Sequence, residues 1–457
     1  MEAERLPDVV IRNFRYYYAQ LAEGRTGLIP EAEICPVESL PDAETLPAML
    51  ARAGRSALPK TVLMKLNGGL GTSMGLEKAK SLLAVKDGLT FLDVIARHAL
   101  ASGVPLVLMD SYNTRDDSLA TLRRYPGLWG RIPLSFLQHK VLKVAQADLS
   151  PARWPKEPEM EWCPPGHGDI YPALITSGML DMLLEAGCES AFVSNADNLG
   201  AAIEPAILGY FVENKLPFLM EVTDRTIADR KGGHLARRQP SPGAAEGGGQ
   251  LILRESAQCP AEDMELFQDI TRHRYFNTNN LWLSLRALKE LLVVTDGILG
   301  LPMIINKKTV DPRDPSSPPV YQLETAMGAA IALFPGAGAL RVPRTRFAPV
   351  KTTDDLLAVR SDAYVLTGEW RIVPNPARSL GTPAVSLDPR YYRLVDDLDA
   401  RFPYGPPSLL ECERLSVQGD VRFGRDVVLR GAVEITNSSE RPAEIAGGAV
   451  IEGPLSI

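Results

Sequence analysis

Between Thr61 and Ser81 the chain reads TVLMKLNGGLGTSMGLEKAKS, and few folds suit such a stretch. Its apolar start, Val62, Leu63, Met64 and Leu66, is the length of one buried strand. Gly68, Gly69, Gly71 and Gly75 follow, with Thr72 and Ser73 among them, and then Lys78 and Lys80. A turn so rich in glycine lets the backbone come close to a ligand and aim several N–H groups at one anion. Lysine just beyond it adds a point charge where phosphate oxygens would lie. A tight structural turn carrying two surface lysines is the alternative. Two familiar phosphate motifs are excluded. Met74 stands where the dinucleotide fingerprint needs its third glycine, and Lys78 and Lys80 follow Glu77 and Ala79 rather than the glycine of a P-loop.

The rest of the chain predicts an α/β architecture. Val9, Val10, Phe14 and Tyr17 recur at helical spacing near the start, and a proline-containing connection runs from Pro30 to Pro47. Beyond the glycine loop, Thr90 and Asp93 form a capping box for a helix reaching about Leu100. Val104–Met109 reads as a strand, Thr114–Arg124 as a polar helix, and Ala191–Ser194 as another buried strand. A helix then continues to about Glu213, and Phe218–Val222 is strand again. This alternation implies βαβ units and a mixed, mostly parallel sheet covered on both faces. Ligands in such sheets gather beyond the carboxyl ends of the strands, where the glycine loop and Asp197 both lie. PSPGAAEGGG (Pro240–Gly249) and DPRDPSSPP (311–319) read as exposed loops.

From Leu415 the period changes. Leu415/Val417, Val421/Phe423, Val427/Leu429 and Val433/Ile435 are apolar pairs repeating every six residues. That is the pattern of a parallel β-helix, here of about two short coils. Three parts follow: a helical segment over 1–55, an α/β domain over 56–385, and a small β-helix over 386–457.

A formal charge of −7 argues against general binding to nucleic acid or anionic membranes, yet leaves room for a locally basic phosphate pocket. Five scattered cysteines without a C-x-x-C pair suit a reducing compartment. No apolar run is long enough to span a bilayer, so a cytoplasmic protein is expected.

Several residues carry candidate chemistry. Asp197, in SNADNLGA, is either a helix N-cap or a magnesium ligand, since Mg²⁺ takes one or two carboxylates and completes its shell with phosphates and water. His167, in WCPPGHGD, is a base, a ligand or a hydrogen-bonding loop residue. Asn277, Asn279 and Asn280, in FNTNNLW, supply the donors and acceptors that sugar hydroxyls require, or make a plain turn before an apolar strand. Lys351, in RFAPVKTTDDL, lies just before a helix start. No Ser–His or Cys–His pairing stands out.

These motifs, in this order, resemble the eukaryotic-type UTP–glucose-1-phosphate uridylyltransferases. LNGGLGTSMG followed by Lys80-Ser81 is similar to the signature loop of that family, with Lys78-Ala79-Lys80-Ser81 where it usually has Gly-Pro-Lys-Ser. The resemblance implies a Rossmann-like, GT-A-like nucleotidyltransferase domain and a left-handed parallel β-helix. It implies transfer of uridylyl from UTP to glucose 1-phosphate, giving UDP-glucose and pyrophosphate. Leu66, Asn67, Gly68, Gly69, Gly71 and Thr72 would bind the nucleotide, with Gln138, Gly166 and His167 at the uracil and Asn195 contacting nucleotide and sugar. Gly233 and Asn279 would hold the hexose, although His234 stands where the family usually has Thr. Asp197 would hold Mg²⁺, and Lys80 and Lys351 would act on the phosphates. Glu324, in a segment Leu323–Ala326 expected to open a helix, would order local structure.

A different sugar 1-phosphate, or a catalytically silent nucleotide-binding regulator, remain the alternatives. An acyltransferase is disfavoured, because none of the five histidines lies in the β-helix. Neither nucleic acid nor membrane is an expected partner, and a homo-oligomer joined through the C-terminal domain is possible.

Overall fold

The structure is a computed structural model that describes residues 1–239 and 249–457. The turn-rich piece Pro240–Gly249 therefore lies, except for its last residue, outside the described residues.

In chain order the first elements are helix α1 (Asp8–Ala22), strand β1 (Ile34–Pro36), helix α2 (Ala48–Ala57) and strand β2 (Thr61–Asn67). Helix α3 (Phe91–Ser102), strand β3 (Leu106–Asp110), helix α4 (Arg115–Leu122) and strand β4 (Ser135–Leu137) follow. Next come helix α5 (Ile170–Thr176), strand β5 (Ser190–Asn195), helix α6 (Pro205–Glu213) and strand β6 (Phe218–Asp224). The Thr90–Asp93 capping box is present at the start of α3. Strands β7 (His234–Arg238) and β8 (Leu251–Arg254) pair antiparallel across the undescribed segment. The α/β pattern ends with β9 (Tyr275–Ser284), α7 (Leu285–Val294), β10 (Met303–Thr309), β11 (Pro319–Thr325), β12 (Gly338–Arg341) and α8 (Thr353–Arg360).

A ten-stranded mixed sheet organises these elements, with the path β1–β7–β9–β5–β2–β3–β4. Its parallel half, β5–β2–β3–β4, brings four carboxyl ends to one edge, with Leu66 opposite Asn195 and Asn67 opposite Asp110. Strand β2 is buried along its length because it has a layer on each face. Val62 and Met64 enter one apolar cluster with α5 and α7, and Leu63 enters the other with α3 and α6. Burying each such side chain contributes roughly 1.5–3 kcal/mol.

Two local expectations are corrected. Leu323–Thr325 finish strand β11 instead of opening a helix, because β11 pairs with β10 along its length and the Thr325 N–H donates to the Pro165 carbonyl. The turn that follows is a 3₁₀ stretch from Met327. The asparagines of FNTNNLW do not precede a strand; they sit inside β9, at a register shift against β6 between Glu221 and Val222. The N-terminal segment also does more than pack helices, since β1 adds an edge strand beside β7.

Near the C-terminus the six-residue pattern is realised residue by residue. Strands β13 (Ala384–Leu387), β14 (Ser408–Gln418), β15 (Val421–Phe423), β16 (Val428–Thr436), β17 (Ala443–Ile445) and β18 (Val450–Ser456) form two parallel sheets, β13–β14–β16–β18 and β15–β17. Leu415 pairs with Val433 and Val417 with Ile435, one coil later. All eight residues of the apolar pairs are at most 1% exposed, so the repeat fills the interior of the coil. No helix among the described residues is long and apolar enough to cross a membrane.

Candidate functional site

Beyond the carboxyl ends of β2, β3, β4 and β5 lies a cavity of about 290 Å³. Strand β2 contributes Leu66 and Asn67 and leads into Gly68, Gly69, Lys80 and Ser81; Met109 comes from β3, Gln138 follows β4, Asn195 ends β5, and Ala196 and Asp197 follow it. Pro164, Gly166 and His167 close the opposite wall.

The glycine loop is a closed excursion. The Lys80 N–H donates to the Gly69 carbonyl at 3.1 Å, and Leu70 bridges Ala79, so residues 70–79 leave and return to one point. Gly71 and Thr72 lie within this excursion, at a 3₁₀ turn, and not on the cavity wall. The Gln138 amide lies against Gly68, where a Cβ would sit 2.8 Å from it. Asn67 keeps its own amide for the scaffold: Nδ2 donates to Asp110 Oδ1 at 2.6 Å and to Ser118 Oγ at 2.8 Å. Burial raises the Asp110 carboxyl above its usual range, against the hydrogen bonds that favour its charged form.

Gly166 takes φ +81°, and a Cβ there would lie 2.5 Å from the Thr325 carbonyl oxygen, so only glycine fits without moving backbone. The Met327 N–H donates to His167 Nδ1 at 3.0 Å. Burial lowers the His167 pKa to about 4. The ring is thus neutral at pH 7 with its proton on Nε2, a donor rather than a cation. His139 and Asp169 lock the two walls together: Asp169 accepts the His139 main-chain N–H at 2.6 Å and contacts its Nδ1 at 2.8 Å.

At the other end, Lys80 Nζ donates to Asp197 Oδ2 at 2.7 Å, with both side chains partly exposed at 18% and 25%. Among the described residues no group of three or more His, Cys, Asp or Glu side chains gathers to hold a metal. One carboxylate beside a phosphate pocket is the donor set of a cation that takes most of its oxygens from phosphate and water. Asp197 fits that use, with one oxygen outside the lysine contact.

Gly233, Asn279 and Lys351 are off the cavity wall. Asn279 has φ +57° at the β9 bulge, its N–H donates to Asn277 Oδ1, and its own Oδ1 accepts from Asn277 Nδ2 at 2.9 Å. A Cβ on Gly233 would touch the Glu255 carboxylate at 2.5 Å. Burial raises the Glu255 carboxyl, while Asn277 and Lys351 act in the opposite direction. Lys351 is joined to the cavity through the main chain, since the Val350 N–H donates to the Asp197 carbonyl at 3.1 Å.

Glu255 was not singled out from the sequence, and neither was Lys65. Lys65 interrupts the apolar run of β2, the one signal that could have marked it, and it is 2% exposed. Its Nζ donates to Ser194 Oγ and the Ala201 carbonyl, both at 2.7 Å, and burial lowers its pKa to about 7. Glu324 faces Asn306 and Lys308, where burial raises its carboxyl.

Residues 11–430 match the family model of the UTP–glucose-1-phosphate uridylyltransferases. A UTP–glucose-1-phosphate uridylyltransferase of Solanum tuberosum is 41% identical over 433 residues, covering 93% of this chain and 84% of that one. The Saccharomyces cerevisiae enzyme of the same name is 40% identical over 410 residues, covering 87% and 78%. Among solved structures, a variant of UDP-glucose pyrophosphorylase from Leishmania major in complex with UDP-glucose superposes with TM-score 0.92. It is 45% identical and covers 100% of this chain and 98% of that chain.

Proposed function

This chain belongs to the UTP–glucose-1-phosphate uridylyltransferase family, and from that premise we infer how its own residues share the work. It transfers uridylyl from UTP to glucose 1-phosphate, giving UDP-glucose and pyrophosphate. A phosphomonoester is largely dianionic near neutral pH, its second pKa being about 6. A phosphate oxygen of glucose 1-phosphate attacks the α-phosphorus of UTP, a P–O bond forms, and the bond to the β-phosphate breaks as pyrophosphate leaves. No protein nucleophile enters, and the protein's part is alignment and charge neutralisation.

The observation that carries this reading is a single cavity whose lining runs from Gln138, Gly166 and His167 to the Lys80–Asp197 pair. Gln138 and the backbone at Gly166 face the uracil edge, and neutral His167 offers a proton donor without adding a cation. The loop main chain at Gly68 and Gly69 lies along the nucleotide. Lys80, released from Asp197 when phosphate arrives, balances charge on UTP, and Lys351 balances charge at the reacting phosphorus. Asn195, Asn279, Gly233 and Glu255 bound the hexose, with the Glu255 carboxylate accepting from sugar hydroxyls. Mg²⁺, held by Asp197, would supply charge neutralisation at the phosphates when bound.

Pyrophosphate and UDP-glucose formation from UTP and glucose 1-phosphate should be Mg²⁺-dependent and lost on chelation. A panel with galactose 1-phosphate and N-acetylglucosamine 1-phosphate tests the hexose assignment. Equal turnover on all three would overturn glucose selectivity, and full activity in chelator would overturn the Asp197 role.

A further inference from the structure

Behind the phosphate end, one buried amide is bonded on all sides. Asn198, 3% exposed, follows the candidate cation ligand Asp197 directly. An asparagine amide has two N–H donors and an oxygen able to accept twice, and here every one is used. Nδ2 donates to Asn280 Oδ1 and to the Arg346 carbonyl, both at 3.2 Å. Oδ1 accepts the Gly200 N–H at 3.1 Å and the Ala348 N–H at 2.9 Å. These four partners come from three segments distant in sequence: the Asp197 loop, strand β9, and the run from Arg346 to Lys351.

The partners are themselves fixed. Asn280 Nδ2 donates to Glu221 Oε2 at 3.0 Å and to the Arg346 carbonyl at 3.3 Å. Glu221, fully buried, accepts two bonds of 2.7 Å from the Arg346 guanidinium and one of 2.9 Å from Trp282 Nε1. The chain therefore leaves Arg346 in one direction only. It then runs antiparallel beside the Asp197 loop: the Leu199 N–H donates to the Ala348 carbonyl, Asn198 bridges Pro349, and the Val350 N–H donates to the Asp197 carbonyl. Lys351 is the next residue.

We propose that Asn198 is a positioning residue that sets Lys351 against Asp197, so that cation-holding acid and phosphate-facing ammonium keep one spacing. It touches no substrate and acts through the placement of Lys351. This rests on the reading of Lys351 and Asp197 given above.

N198D keeps the shape and both acceptor bonds but removes both donors and places a carboxylate against two oxygens. A displacement of ~1 Å at a reacting group costs on the order of 10²-fold in rate, so kcat should fall by about that factor. The KM for UTP should stay within about threefold, because the base slot is built from other segments. In a K351A background N198D should cost less than about threefold more, because its effect passes through a side chain no longer there. A merely structural role predicts multiplying losses in the double variant, and that result would overturn the proposal, as would N198D with near-normal kcat. K351A with near-normal kcat would instead overturn the reading of Lys351 itself, and the proposal with it. Thermal unfolding of each variant shows whether it is folded. Should N198D fail to fold, N280S, which withdraws the acceptor of the Asn198 amide, enters the same cycle with the same expected non-additivity.

Discussion

Around the proposed base slot the holding contacts are main chain and neutral side chains: Thr325 crowds Gly166, Met327 holds His167, and Gln138 rests on Gly68. Around the proposed phosphate end the contacts are charges that hold one another: Lys80 on Asp197, and behind them Glu221 on Arg346. The first end can recognise a flat, uncharged ring by shape, with nothing to rearrange. On the proposed reading the second end exchanges partners when a triphosphate arrives, since Lys80 and Asp197 hold each other directly. The proposed division puts affinity for the base in one wall and rate in the other, and substitutions should separate the two.

The largest effects belong to the charged end. Lys351→Ala should lower kcat by about 10²–10³, the usual cost of losing one electrostatic contact to the reacting group. UTP binding, measured without glucose 1-phosphate, should change little. Asp197→Ala should abolish the response of rate to Mg²⁺ while leaving uridine binding intact. A Lys351 variant with normal kcat but weakened UTP binding would erase the division between the two ends.

A smaller effect, of the opposite kind, is expected at the wall. Gly166→Ala forces an L-residue to φ +81° and brings its Cβ against the Thr325 carbonyl. Strain of this sort costs about 1–3 kcal/mol, which corresponds to roughly 5- to 150-fold in affinity. It should appear in KM for UTP, with kcat at saturation within about threefold. A fall confined to kcat would mean that the Gly166 turn serves the phosphates instead.

How much of this was legible in the sequence follows the same division. Local periodicity and turn chemistry carried three of the four strands that bear the cavity, β2, β3 and β5, together with the Thr90–Asp93 cap and the six-residue coil from Leu415, because each is decided within a few residues; β4, three residues long, was not read. The short strand at Ile34–Pro36 was not legible, since its partner lies about two hundred residues away in β7. Leu323–Ala326 misled for the same reason: pairing with β10 overrides a helix-compatible composition. Asn277 and Asn279 were legible as a polar cluster, but their place inside β9, at a bulge that turns them, needs the register against β6. Nine of the residues expected to bind substrate line one cavity together with Asp197, the expected metal ligand, and Lys351 reaches it through the main chain. Glu255, Lys65 and the Asn198–Asn280–Glu221–Arg346 network were hidden because their partners are remote in sequence.

The smallest effect is with pH, and it sharpens the contrast from the side of the neutral wall. His167 and His98 are both depressed to about 4 by burial, and His98 is also held between the Glu369 carbonyl and the Ile203 N–H. In the unfolded chain both would take a proton near pH 6.5. Stability is therefore full above that value and declines as pH falls from about 6.5 toward 4, because the unfolded state binds the extra protons. At pH 5.5 the loss is about 1 kcal/mol for each histidine, readable by chemical denaturation at pH 7.5 and 5.5. His234 and His273 are also lowered by burial and add to the same slope, so His167→Leu should remove only its own share, about 1 kcal/mol between pH 7.5 and 5.5. Over the same range inhibition by uridine, which has no phosphate to titrate, should stay flat, because the ring that faces it does not change charge. An inflection near pH 6.5 in uridine inhibition would mean that His167 binds as a cation, and the base slot would then be a charged site like its neighbour.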